Sequence, residues 1–128
     1  MICKIRMEET ERTPKLLVDI HNAGKSTFTG FMSTETGFAI RVDAKWYHWL
    51  GGTDVKGSIF DPGSVYRTSG DLSDRSWGSL SDRGNLSFGI ELLPGDHSIQ
   101  VAIWLQGLSS RRRIWITSNI LHVTLAGR

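Results

Sequence analysis

Five aspartates, Asp54, Asp61, Asp71, Asp74 and Asp82, crowd a Gly- and Ser-dense stretch, residues 51–85. General acid–base work needs two carboxylates held a few ångströms apart, and a calcium loop needs the Asp-x-Asp-x-Asp-Gly spacing, which is missing here. Aspartates in such a stretch are also what turns require. The histidines His21, His48, His97 and His122 stand singly, with no His-x-His or His-x-x-x-His pair, so no metal site is expected. Serines are plentiful, but no Gly-x-Ser-x-Gly elbow presents one as a nucleophile. Gly24-Lys25-Ser26-Thr27 resembles the end of a phosphate-binding loop, yet the glycine required five residues before Gly24 is Asp19. The single cysteine, Cys3, rules out an internal disulfide and reads as a small apolar strand residue. These residues lead us to expect no catalytic residue, no metal and no cofactor.

Aromatic and basic residues make the stronger candidates. In Lys45-Trp46-Tyr47-His48-Trp49-Leu50, an extended chain turns Trp46 and His48 to one side and Tyr47 and Trp49 to the other. One pair is expected in the core and the other on a surface. Trp104 and Trp115 fall opposite the aliphatic faces of their own strands. Arg111, Arg112 and Arg113 follow a Gly/Ser turn, and no acidic residue occurs after Asp96. The candidate binding residues are therefore Trp46, Tyr47, Trp49, Trp104, Arg111, Arg112, Arg113 and Trp115. Exposed indoles and a cluster of arginines suit a protein partner, and exposed rings also suit glycan stacking. Stacking bases beside the arginines is a third option, but a net charge of +2 argues against nucleic acid.

The elements that must position these residues are strands. Ile2–Met7 alternates, Leu16, Val18 and Ile20 share a face, and the run ends at the turn residues His21-Asn22-Ala23-Gly24. A short strand is expected over Thr27–Met32. Phe38, Ile40 and Val42 align, and a tight Asp43-Ala44 turn leads into the aromatic strand, which makes a hairpin. Residues 51–85 read as a long loop with one short strand around Ser58–Phe60. Leu86, Phe88, Ile90 and Leu92 alternate, as do Ile99, Val101 and Ile103, so the two runs are expected to pair across Leu93-Pro94-Gly95-Asp96. Arg113–Thr117 and Ile120–Leu125 read as one closing strand interrupted by a kink or bulge at Ser118-Asn119.

No stretch carries helical periodicity over three turns. At 128 residues, 39% hydrophobic and 22% charged, the chain suits one domain over residues 1–128 with a core of its own. No apolar run is long enough to span a bilayer. The charged start MICKIRMEETER lacks the apolar segment of a secretory signal. The chain could equally be one domain of a longer protein. Short strands separated by turn signals indicate an all-β sandwich.

Four stretches resemble bacterial immunoglobulin-like and fibronectin type III-like domains. Leu17-Val18-Asp19-Ile20-His21-Asn22-Ala23-Gly24-Lys25 is similar to the second strand of such modules, which ends in Asn-x-Gly-Lys. Leu92-Leu93-Pro94-Gly95-Asp96-His97-Ser98-Ile99-Gln100-Val101 resembles their Leu-x-Pro-Gly-x-Tyr-x-Val-x-Val strand, and Ser118-Asn119-Ile120-Leu121-His122-Val123 their final strand. Val42-Asp43-Ala44-Lys45-Trp46-Tyr47 looks like their Val-Asp-Gly-Lys hairpin. The resemblance implies a single immunoglobulin-like antiparallel β-sandwich of about seven to nine strands. It also implies a non-catalytic interaction or spacer module whose partner is a protein or a neighbouring domain, with a glycan as the alternative. His97 stands where many such domains carry a tyrosine whose side chain reaches back to nearby backbone.

Overall fold

The apolar–polar alternation is realised as strands in the computed structural model, which describes residues 1–9, 14–31, 38–49, 57–80, 83–108 and 112–125. Twelve strands and no helix occur among the described residues: β1 (Ile2–Glu9), β2 (Pro14–His21), β3 (Phe28–Phe31), β4 (Phe38–Val42), β5 (Lys45–Trp49), β6 (Gly57–Phe60), β7 (Val65–Asp71), β8 (Trp77–Leu80), β9 (Leu86–Phe88), β10 (Gly95–Gly107), β11 (Arg113–Thr117) and β12 (Leu121–Leu125). All pairings are antiparallel. One sheet has the order β1-β2-β7. The other runs β6-β3-β10-β4-β5-β8-β9, with β11 and β12 both on the far edge of β10.

Each sheet turns one apolar face inward, and the two faces contribute to one core. From the small sheet come Cys3, Ile5, Leu16, Val18 and Ile20, and from the large sheet Ile40, Val42, Tyr47, Phe60, Trp77, Ile99, Val101, Ile103 and Leu105. This is compatible with a β-sandwich. Cys3 lies within that core, where burial first and the nearby Asp19 carboxylate second push its thiol up to about 12. It behaves as an inert apolar group.

The closing strand is interrupted by a bulge, as expected. Ala102 pairs with Thr117 and Ile99 with Leu121, so four residue steps on the closing strand oppose three on β10. The bulge is built from polar contacts. The Ser118 hydroxyl accepts a hydrogen bond from the Val101 amide at 2.9 Å and donates to the Asn119 carbonyl at 2.8 Å. The Asn119 side chain then accepts from the Ile5 amide at 2.7 Å and donates to the Ile5 carbonyl at 3.3 Å. It thereby satisfies both backbone groups of one residue on β1, an edge strand of the small sheet.

Three expectations are corrected. First, the runs over residues 86–104 do not pair with each other: β9 pairs with β8, while β10 takes β3, β4, β11 and β12. The chain leaves strand geometry at Gly89, whose φ of +88° suits glycine alone, and Ile90 and Leu92 pack onto the core outside any strand. Second, residues 51–85 hold more than the one short strand expected around Ser58–Phe60, which is β6, because β7 and β8 also lie within them. β7 escapes detection because its inward positions are Tyr66, Thr68 and Gly70. A Cβ at Gly70 would sit 3.8 Å from the Trp77 ring, an ordinary contact distance, so the indole packs over the glycine. Third, the seven to nine strands expected become twelve among the described residues, through β7, β8 and the division of the closing strand.

Candidate functional site

A two-residue turn decides which side chains share the outer face of the large sheet. Asp43 adopts a φ of 56°, which a tight hairpin needs at its first turn residue, and the pairing then sets Arg41 opposite Trp46 and Ala39 opposite His48. On the other side of β4, Arg41 faces Gln100 and Ala39 faces Ala102. Across β10, Ala102 meets Thr117, Trp104 meets Trp115 and Gln106 meets Arg113. All of these side chains lie on the face opposite Ile40, Tyr47, Val101 and Ile103.

Three of the expected tryptophans come together there. The Trp104 and Trp115 ring centroids are 4.4 Å apart with planes at 54°, and Trp115 and Trp46 are 6.2 Å apart at 57°. Trp104 is 47% exposed and Trp115 39%, while Trp46 is half-buried. Trp46 lies on β5 and Trp115 on β11. They meet over the row of Ala39 and Ala102, whose methyl groups leave room for both indoles and are themselves buried. A guanidinium closes each end of the row. Arg113 lies 5.8 Å from the Trp104 centroid, and Arg41 lies 5.9 Å from that of Trp46. The Arg41 Nε is buried and makes no hydrogen bond.

The remaining expected residues are placed as follows. Tyr47 is 3% exposed in the core, so it belongs to the inward pair and not to the surface. Trp49 pairs through its backbone with Trp77, and its side chain lies outside the described residues, as does the whole of Arg111. Arg112 is exposed, and its carbonyl accepts a hydrogen bond from the Gly107 amide at 2.8 Å. Arg41 was missing from the sequence-based set. The signal was present: it alternates with Ile40 and Val42, and the Asp43-Ala44 turn sets it beside Trp46.

Among the described residues, the candidate acids Asp61, Asp71 and Asp74 each bond to different partners. Asp54 and Asp82 lie outside the described residues. Asp71 accepts from the Ser73 amide and hydroxyl, Asp74 accepts from the Ser76 amide, and Asp61 accepts from the Thr27 hydroxyl at 3.4 Å. Asp71 and Asp74 thereby organise local turns, and Asp61 ties its turn to Thr27. Among the described residues no three His, Cys, Asp or Glu side chains gather as metal ligands. An open groove of about 850 Å³ beside β5 is lined by Lys45, Tyr47, Arg75, Phe88, Ile90 and Leu92, and Glu91 is its one carboxylate.

His97, near the start of β10, does reach back to backbone. Its Nε2 bonds the Leu93 carbonyl and its Nδ1 lies 2.8 Å from Asp43, whose other oxygen accepts from the Ser98 amide at 3.0 Å. Both ring nitrogens thus face acceptors, an arrangement that only the doubly protonated ring satisfies. The Asp43 contact first and the Leu93 carbonyl second raise the His97 pKa above its ordinary 6.5. The same contact, with the Ser98 amide, lowers that of Asp43 below 3.8. The stability from His97 is complete below 6.5 and lost as pH rises through its raised value. That from Asp43 is complete above 3.8 and lost as pH falls through its lowered value. Between those limits both contributions are present. The melting temperature of wild type is therefore expected to fall more between pH 6 and pH 8.5 than that of His97→Gln. Parallel profiles in a thermal-shift series would refute it.

Compared with protein-family models, with curated proteins and with solved structures, the chain matches none.

Proposed function

We propose that the chain is a non-catalytic interaction module, built as an immunoglobulin-like β-sandwich, that binds a protein partner or a neighbouring domain through the outer face of its large sheet. Strand order supports the architecture. β1, β2 and β7 correspond to strands A, B and E of such domains, and β4, β10 and β11–β12 to C, F and G. β3, β6, β8 and β9 are additions to that plan. The His97 contact to the Leu93 carbonyl, four residues upstream, supports it further, because it takes the place of the corner tyrosine near the start of strand F.

The observation that carries the functional reading is the contiguous row Trp46–Trp115–Trp104, which leaves two indoles about half exposed between two arginines. Large apolar surface in water is unfavourable, and tryptophan with arginine is the pairing most enriched where partners bind tightly. Glycan stacking, the alternative, requires an open ring face. Here guanidinium groups lie over Trp104 and Trp46, and successive rings tilt by more than 50°. That geometry favours protein over sugar.

The test compares affinity capture by wild type and by the Trp104→Ser/Trp115→Ser double variant, with folding of both checked by circular dichroism. Polypeptides held by wild type should be depleted at least tenfold with the variant bait. Identical sets would remove the reading, and Trp-dependent hits on a glycan array would replace it with the alternative.

A further inference from the structure

Among the described residues, the charged side chains packed on the tryptophan row are both cations. Arg41 and Arg113 flank it, and no Asp or Glu occurs on β4, β5, β11 or β12. Along β10 the one acid is Asp96, which accepts from the Thr124 hydroxyl at 2.6 Å and lies four residues before the Arg41 row. The other described acids belong to the small sheet, to turns (Asp43 of the β4–β5 hairpin among them, held by His97) or, for Glu91, to the segment between β9 and β10. Any partner on this face therefore meets cations at both ends of the indoles.

Spacing restricts the partner further. Arg41 lies in the row of Gln100 and Arg113 in the row of Gln106, six residues apart along β10. At 3.3 Å per residue this separates the two guanidinium rows by about 20 Å. Between them lie indoles, alanines and polar neutral groups, with no cation. A uniformly charged polymer, whether nucleic acid or sulfated glycan, would have to strip water from its central charges over indoles without pairing them, which is costly. A segment with acids at both ends and apolar residues between them matches the face throughout.

Resting on the protein-binding reading above, we infer that the occupant of this face is an extended acidic polypeptide segment. Its carboxylates stand about six residues apart and pair with Arg41 and Arg113, and the side chains between them pack on Trp104 and Trp115. An extended chain of that length spans the same distance as the arginine rows, one residue for one residue of β10.

Fluorescein-labelled peptides titrated against the whole chain test this by anisotropy. The probe is Glu-Glu-Thr-Val-Tyr-Val-Glu-Glu. The controls are the same peptide with lysines for the glutamates, with serines for the glutamates, and with Gly-Ser in the middle, together with a heparin hexasaccharide. The acidic probe should bind at least tenfold more tightly than every control and weaken several-fold between 50 and 300 mM salt. Arg41→Gln and Arg113→Gln should each lose about fivefold, and the double variant should fall to the level of the lysine control. Equal binding of the acidic and lysine peptides, or unchanged binding by the arginine variants, overturns the inference, and so does tighter binding of heparin. If the serine-flanked peptide binds as well as the acidic one and Trp104→Ser/Trp115→Ser abolishes both, the interface reading survives and the acidic partner falls. If no peptide responds to the tryptophan changes, both fall.

Discussion

Replacing Trp77 with alanine is expected to destabilise the chain by about 4 kcal/mol, a large share of what holds a domain of this size together. Trp77 is 1% exposed. It lines a small internal void with Leu16 and Val18 of the small sheet and with Ile40 and Val101 of the large one, so its ring touches both halves of the core. Its Nε1 donates to the Asp71 carbonyl at 3.1 Å, at the end of β7. Alanine empties the space of the indole and removes one of the two hydrogen bonds that the Asp71 carbonyl accepts, the other coming from the Asp74 amide at 3.2 Å, and the strands around the site cannot collapse into a space of indole size. Trp77→Phe keeps most of the packing but loses the hydrogen bond, so about 2 kcal/mol is expected for it. Urea titrations followed by far-ultraviolet circular dichroism measure both. A Trp77→Ala midpoint matching that of Trp77→Phe would mean that the indole is not what joins the sheets.

The same residue marks where sequence reasoning stops. β1, β2, β4, β5, β10 and the bulged closing strand are legible because each buries one face, and burial writes itself as alternation. β7 and β8 are not, because β7 turns only Tyr66, Thr68 and Gly70 inward and β8 adds a single indole, so neither run writes an aliphatic alternation into the sequence. The failed pairing of the runs over residues 86–104 has a related cause. Alternation reports that a run has a buried face but not which strand lies beside it, and Phe38–Val42 competes successfully for β10. The candidate site divides in the same way. Trp104 and Trp115 could be assigned outward from parity alone, whereas the choice between the Trp46 and Tyr47 sides of β5 depended on which face the second sheet covers.

The outward row and the inward core are products of one pattern. β10 places Ile99, Val101, Ile103 and Leu105 inward at 2% exposure or less and Trp104 outward at 47%. A shift of one residue of β11 against β10 would turn Trp115 toward the core and Ile114 and Ile116 outward. The extra residue at Ser118-Asn119 is held by hydrogen bonds to Val101 and Ile5, so it fixes the register on which the tryptophan face depends. Asn119 thereby acts on the surface from a distance. Binding through Trp104 and Trp115 should be sensitive to that position although it touches neither ring.

Asn22 offers the second large effect. Asn22→Ala is expected to cost about 3 kcal/mol, since a single fully buried amide holds three separate strands' ends together. Its Nδ2 donates to the Ser26 carbonyl at 2.8 Å and to the Phe60 carbonyl at 2.9 Å, while its Oδ1 accepts from the Gly24 amide at 3.2 Å. Its own backbone exchanges hydrogen bonds with Ser64 and Gly63, which ties the end of β2 to the turn between β6 and β7. Alanine abandons two carbonyl acceptors and one amide donor, of which the Phe60 carbonyl is buried and the Ser26 and Gly24 groups lie nearer the surface, and the loss is greater than that of the side chain's own contacts. Asn22→Asp should be worse at neutral pH, because it sets a buried carboxylate against two carbonyl oxygens. Protonation restores one donor, so the folded aspartate binds its proton more tightly than the unfolded one, and the gap from wild type should narrow as pH falls from 7 to 5. Urea midpoints of the three proteins at both pH values decide it. An alanine variant within 0.5 kcal/mol of wild type, below the roughly 1 kcal/mol of even one lost hydrogen bond, would show that the turn holds without the amide.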